Sequence, residues 1–153
     1  MEIDTVTALH LSGLALTTEA LRRLHAAGYS DLRISHGFVV QHVVDAPVRI
    51  GDLATRMGVT QQAASKAVAE LAALGYLERG ADPADARVRR IGLSARGRAA
   101  VAVTRAVRAE IEHELAAALG AERVEAARRT ALDALEWAGG ADAVRTRRVP
   151  APQ

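Results

Sequence analysis

The sequence predicts a mainly α-helical protein that contains one β-hairpin. Alanine and leucine dominate the 153 residues, and apolar residues recur at spacings of three and four through most of the chain. That spacing is the period of an amphipathic helix. The pattern alternates only between Gly75 and Leu93, where two strand-like runs flank a cluster of turn-forming residues at 80–85. A chain of this length can bury a core without disulfide or metal support.

Two helices are predicted before the middle of the chain. The first covers about Thr5 to Ala27 and is stopped by Gly28. The second starts at Ser30 or Asp31, either of which can cap it, and runs to Val44. Apolar side chains surround this second helix nearly completely, so we expect it to be sandwiched between two layers.

Residues 50–74 contain two short amphipathic patterns separated by a tight break, which is the arrangement of a helix-turn-helix. Gly58 can leave the first helix with a positive φ, and the hydroxyl of Thr60 can cap the second. In the second helix, apolar and small side chains share one face. The opposite face carries Gln61, Gln62, Ser65, Lys66 and Ala69.

This outward face suits the major groove of DNA. Glutamine pairs with the N6 and N7 edge of adenine, lysine or serine reaches guanine or phosphate, and helix N-termini favour phosphate oxygens. Residues 49–98 carry nine basic and five acidic side chains, an excess that a polyanion would favour. A solvated helix face is the alternative. The predicted DNA contacts here are Thr60, Gln61, Gln62, Ser65 and Lys66.

A hairpin that follows such a helix is a wing, and here the sequence resembles the MarR family of winged helix transcription regulators. The wing signature of that family is Asp-x-Arg, then an aliphatic residue, Leu-Thr/Ser and x-x-Gly. Asp85, Arg87, Ile91, Leu93, Ser94 and Gly97 meet it. The resemblance extends from about Asp31 to the helix after Gly97.

The resemblance implies that Arg87 enters or approaches the minor groove and that Asp85 helps to hold it. An always-charged guanidinium suits the negative potential of a narrow minor groove. Strand alternation places Arg89 on the face of Arg87 and Arg90 on the other face, so Arg89 joins the predicted DNA contacts. The alternative is an exposed surface pair of Asp85 and Arg87 with little energetic weight.

Two further helices are predicted after the hairpin, from about Ala95 to Leu119 and from about Ala121 to Ala138. Long apolar stripes on the first helix and the last two predict a homodimer, because exposed patches of that extent mark interfaces. The predicted organisation is therefore a dimerisation helix at 1–28, a winged helix-turn-helix DNA-binding domain at 30–98, dimerisation helices at 99–138 and a flexible tail at 139–153.

Several classes of protein are excluded by composition. The chain has no cysteine, which excludes a disulfide scaffold, a thiolate nucleophile and thiol-based redox sensing. His113-Glu114 resembles the start of a zinc protease helix, but the second histidine is replaced by Ala117. We expect no enzyme activity, cofactor or metal. Glu2 and Asp4 do not suit a signal peptide and no apolar run reaches a membrane span, so we expect a cytoplasmic protein.

The predicted function is a sequence-specific regulator of transcription, a repressor that binds an inverted-repeat operator in double-stranded DNA as a homodimer. Members of the resembling family often bind small anionic or aromatic compounds near the predicted second helix. His36 and His42 lie on that helix, and either core packing or an effector pocket would explain them. The alternative function is a winged helix that docks an acidic protein partner.

Overall fold

The computed structural model describes residues 2–82 and 84–146, without the side chains of residues 85–88 and 144. It forms two compact units, residues 2–32 with 103–146 and residues 33–102. The helices are α1 (Thr5–Ala26), α2 (Ile34–Val40), α3 (Ile50–Met57), α4 (Gln61–Ala73), α5 (Ala95–Leu119), α6 (Ala121–Leu135) and α7 (Ala141–Thr146), and a π-helical turn (Glu136–Gly140) precedes α7. The strands are β1 (Val48–Arg49), β2 (Leu77–Asp82) and β3 (Asp85–Leu93). The mainly helical fold with a winged helix-turn-helix is confirmed.

The first unit contains α1, the later part of α5, and α6. Asp4 caps α1 by accepting a hydrogen bond from the Thr7 backbone N–H at 2.9 Å. Arg23 of α1 pairs with Glu114 of α5 at 2.6 Å and with Glu19 of its own helix. Hydrogen bonds from Arg22 and Arg23 lower the pKa of Glu19 to about 2. The Arg23–Glu114 pair joins α1 to α5, and the buried apolar residues of these helices in this unit are Leu24, Val107 and Ile111.

The second unit is built around α3, α4 and a three-stranded antiparallel sheet with the order β1-β3-β2. The largest side chains that are completely buried belong to Tyr76, Leu53, Leu71 and Val68. Val48 lies opposite Ile91 across β1 and β3, and Leu77 lies opposite Leu93 across β2 and β3. The predicted hairpin is present, and β1 adds a third strand that the sequence did not predict. A strand of two residues is too short to show alternation.

The second helix is shorter than predicted at both ends. It begins at Ile34 with Arg33 as the N-cap residue, so neither Ser30 nor Asp31 caps it. Before it, the Leu32 N–H donates to the Tyr29 carbonyl at 3.2 Å and forms a turn instead. After Val40 the chain continues in tight turns, in which the N–H of residues 42 and 43 bonds three residues back.

The helix α2 is also not covered on all sides in the single chain. His36 and Val39 are buried, whereas 42% of Ile34 is exposed. The prediction of a helix sandwiched between two layers therefore stays a prediction. Ile34 at the start of α2 remains available to contact solvent or a partner.

The C-terminal region contains helical structure up to residue 146. The helix α6 ends at Leu135, three residues before the predicted end, and Gly139 adopts a φ of +86° inside the π-helical turn. The helix α7 lies in the segment where a flexible tail is predicted, and the flexibility of residues 139–146 stays a prediction. Residues 147–153 of the predicted tail lie outside the described residues.

Candidate nucleic-acid interface

The turn between α3 and α4 is formed as the sequence predicts. Gly58 has a φ of +67°, the left-handed conformation that glycine adopts without strain. Thr60 caps α4 because its Oγ1 accepts a hydrogen bond from the Ala63 N–H at 3.2 Å. The turn thereby fixes where α4 begins relative to α3.

The two faces of α4 separate as the sequence predicts. The side chains of Ala64, Val68 and Leu71 are completely buried against the rest of the unit. The residues of the opposite face are exposed except for half-buried Ser65; they are Gln61, Gln62, Lys66 and Ala69. The first turn of α4 contains no acidic residue, so nothing there neutralises the positive end of the helix dipole. Amides, a hydroxyl and a cation thus point outward from a rigidly packed helix.

The wing consists of β2 and β3. Arg79 lies opposite Ile91, and Arg89 lies opposite Ala81. Arg79 and Arg89 are both exposed. The backbone of Asp85 and Arg87 belongs to β3, but their side chains lie outside the described residues. The brace of Arg87 by Asp85 therefore stays a prediction.

A charged cluster that the sequence did not predict lies at the end of β2. The Asp82 side chain is completely buried, and its Oδ2 accepts hydrogen bonds from Arg49 at 2.8 Å and from Arg90 at 2.9 Å. Its Oδ1 accepts the Ala84 N–H at 3.0 Å, the geometry of an Asx turn. The Ala84 N–H, then Arg90 and Arg49, hold the pKa of Asp82 well below its usual range. The sequence indicated that Asp82 lies at a turn, but it did not indicate that Arg49 and Arg90 are its partners.

Two residues of the wing signature have structural roles at the base of the wing. Ser94 precedes α5, and its Oγ accepts a hydrogen bond from the Gly97 N–H at 3.0 Å. The Ser94 hydroxyl also donates to the Gly75 carbonyl. A Cβ atom on Gly97 would lie 2.1 Å from the Tyr76 carbonyl oxygen, so only glycine fits there. These contacts fasten the end of β3 to the segment that follows α4.

The two histidines assigned to either the core or a pocket are both buried, with 5% of His36 and 8% of His42 exposed. His36 Nδ1 accepts a hydrogen bond from the Arg33 N–H at 3.2 Å. Its Nε2 lies 3.5 Å from Oε1 of Glu70 on α4, and Arg33 forms an ion pair with the same carboxylate. His36 therefore packs in the contact between α2 and α4.

An open cleft of the second unit is lined by the segment after α2 and by residues of β2 and β3. Pro47, Glu78, Arg90 and Arg98 are among its lining residues, whereas His36 and His42 are not. Arg98 is also held in place, since its Nη1 donates to the Leu93 carbonyl at 2.7 Å. The cleft gives neither histidine a role in ligand binding.

No group of three or more histidine, aspartate or glutamate residues in the described part of the chain is arranged to hold a metal ion. No helix among residues 2–82 and 84–146 has the length and apolar character needed to cross a membrane.

Comparison with known proteins confirms the resemblance stated from the sequence. Residues 30–88 match the model of the MarR family. The structure of RV1404 from Mycobacterium tuberculosis superposes with a TM-score of 0.75 at 22% identity, covering 92% of this chain and 97% of that chain. MepR, a transcription regulator of the Staphylococcus aureus multidrug efflux pump MepA, gives a TM-score of 0.67 at 18% identity, covering 88% and 98%.

A mutant of Staphylococcus aureus MepR bound to an oligodeoxyribonucleotide also shares the fold. Its TM-score is 0.64 at 19% identity, and the match covers 88% of this chain and 98% of that chain. At these identities the structural matches establish the fold. None of the curated proteins matches the chain.

Proposed function

We propose that this chain, whose residues 30–88 match the model of the MarR family, regulates transcription by binding double-stranded DNA at specific sequences. The observation that carries the proposal is the division of α4 into two faces. Ala64, Val68 and Leu71 on one face are completely buried, while the other face presents Gln61, Gln62, Ser65 and Lys66. A MepR mutant of the same fold is bound to an oligodeoxyribonucleotide, which supports a DNA partner.

The chemistry of the outward face assigns different tasks to different residues. Gln61 and Gln62 are suited to read base edges in the major groove, where a glutamine amide matches adenine. Lys66 and the N-terminus of α4 are suited to phosphate oxygens, which position the protein without reading sequence. In the proposed complex, Arg87 of the wing lies at the minor groove of the DNA, and Arg89 lies at the adjacent phosphate backbone.

We also propose that the chain acts as a homodimer. The described chain leaves large apolar side chains of the first unit exposed, including 78% of Val6, 53% of Leu14 and 91% of Trp137. Others are Ile3, Leu9, Leu11, Leu16, Leu119, Leu132 and Leu135. Side chains of this kind on terminal helices favour a second copy as the partner. A sedimentation mass of one chain at micromolar concentration would contradict this.

The regulatory role that we propose is repression in the cytoplasm from an inverted-repeat operator, with release by a small-molecule effector. A two-fold symmetric dimer would present two α4 helices, which matches two half-sites related by symmetry. An effector needs only to favour a dimer in which the two helices are wrongly spaced. A coupling of about 1–3 kcal/mol would change DNA affinity about 5- to 150-fold.

Selection from a library of random duplex DNA tests the proposal. The purified chain should enrich one consensus, and its affinity for that duplex should fall as salt rises. A scrambled duplex of the same composition is the control, and it should bind much more weakly. Failure to enrich any consensus would contradict sequence-specific binding and favour an acidic protein partner for the basic face.

A further inference from the structure

Asp82 is a buried carboxylate that the proposed DNA contacts do not use. None of its side chain is exposed, whereas 50% of Arg49 and 37% of Arg90 are exposed. Burying an ionised carboxylate is costly unless charged or polar groups compensate it. Arg49, Arg90 and the Ala84 N–H supply that compensation at 2.8, 2.9 and 3.0 Å.

These contacts join three separate segments of the second unit. Asp82 is the last residue of β2, and Arg90 lies within β3, so both belong to the wing. Arg49 lies on β1 and is the N-cap residue of α3, the first helix of the helix-turn-helix. A single carboxylate therefore connects the wing to the start of the helix-turn-helix.

The charges of the two arginines make this connection depend on Asp82. Arg49 lies directly opposite Arg90 in the register of β1 and β3. Like charges in directly opposed positions destabilise a strand pair. The strand β1 contributes only two residues to the ladder, so its own pairing with β3 is short. When Asp82 is ionised, its carboxylate attracts the guanidinium groups of both arginines. Without this carboxylate the two guanidinium groups repel each other.

We propose that Asp82 is a positioning residue for DNA binding, which holds the wing against the helix-turn-helix through Arg49 and Arg90. In this arrangement the wing arginines reach the duplex while α4 occupies the major groove. Asp82 itself does not contact DNA. The inference rests on the proposed function and adds to it a residue that acts through two others.

A double-mutant cycle in the full chain tests this role. Its four proteins are the unchanged chain, Asp82→Asn, the variant with Arg87→Ala and Arg89→Ala, and the combination of all three substitutions. Affinity is measured on the selected duplex at one salt concentration. Asp82→Asn should lower affinity about fivefold or more in the unchanged chain and have almost no effect once the wing arginines are gone.

Two further variants separate positioning from a loss of stability. Urea unfolding measures the loss of stability in each variant, and a loss of stability alone should act equally with and without the wing arginines. Arg49→Gln removes the arm of the cluster that lies on β1, and it should behave as Asp82→Asn does. Arg90→Gln removes one arm of the cluster at a partly exposed position, and it should behave as Asp82→Asn does.

The failure of this inference can be told apart from failure of the proposed function. If the unchanged chain selects no duplex, the proposed function is wrong. If removing Arg87 and Arg89 weakens binding but Asp82→Asn and Arg90→Gln act equally in both backgrounds, only the positioning role is overturned. The positioning role is also overturned if Asp82→Asn and Arg90→Gln bind DNA as tightly as the unchanged chain does. Should Asp82→Asn not fold, Arg90→Gln decides the question by itself.

Discussion

The Nε2 atom of buried His36 lies 3.5 Å from a carboxylate oxygen of Glu70, a residue of the helix that we propose for base recognition. The other ring nitrogen accepts the Arg33 N–H at the start of α2. Both ring nitrogens thus face polar groups, so the ring packs between α2 and α4. This supports a core role for His36 over a role in a pocket.

Replacing His36 with alanine should destabilise the second unit. The substitution leaves the Arg33 N–H without its acceptor and opens a gap at a buried position, for an expected loss of about 1–3 kcal/mol in the free energy of unfolding. Urea unfolding measures the loss. His113→Ala at an exposed position of α5 is the matched control and should change stability by less than about 0.5 kcal/mol. Unchanged stability together with an altered effector response would instead assign His36 to a pocket.

Thr60→Ala should weaken α4 at its start. The substitution removes the oxygen that accepts the Ala63 N–H, and loss of such a cap costs about 1 kcal/mol of stability. DNA affinity should fall with it, because the same end of α4 faces the duplex in the proposed complex. Thr60→Ser keeps the hydroxyl and should retain both stability and binding. Equal behaviour of the two variants would show that the cap has no energetic role.

Substitutions on α4 and on the wing should have different effects on DNA binding. Gln62→Ala should change which base is preferred at one position, by about 1–3 kcal/mol for a well-placed contact. The same expectation holds for Gln61 and Ser65. Arg87→Ala should weaken binding to all sequences and lower the slope of affinity against salt by about one. If Arg87→Ala changes neither affinity nor slope, the wing assignment is wrong.

The Asp82 cluster should make stability depend on acid pH. The Ala84 N–H and then the arginine side chains lower the pKa of this carboxyl in the folded protein, whereas in the unfolded chain the pKa is near 3.9. Asp82 therefore contributes stability above about pH 4, and this contribution is lost as pH falls below that value. Urea unfolding of Asp82→Asn between pH 7 and pH 3 should show a smaller decline than the unchanged chain. The exposed Asp45→Asn variant is the control and should follow the unchanged chain.

The helix-turn-helix could be predicted closely because its signals are local. A stripe of apolar residues, Gly58 and Thr60 define α3, the turn and the start of α4 within a few residues of one another. Gly97 was predicted as part of a signature, and the structure adds the reason, since a Cβ would collide with the Tyr76 carbonyl. Periodicity and turn chemistry are sufficient for such elements.

The features that the sequence did not predict depend on distant residues or on short elements. Asp82 meets Arg49 across 33 positions, and no local pattern encodes that contact. The strand β1 is only two residues long. Apolar residues in the turns on both sides of α2 extended its periodic pattern beyond the helix, so both of its ends were misplaced. The helix α7 follows two glycines, which as turn formers favoured a loop over a continued helix.

Binding of the full chain to its selected duplex and to a spaced derivative tests the central claim most directly. A dimer with two recognition helices should bind an inverted repeat whose half-sites are about 10 to 10.5 base pairs apart. Inserting five base pairs between them turns one half-site to the opposite face of the duplex, so the affinity should fall to that of a single half-site. Equal affinity for the repeat, the spaced derivative and a scrambled duplex would contradict sequence-specific recognition by a symmetric dimer.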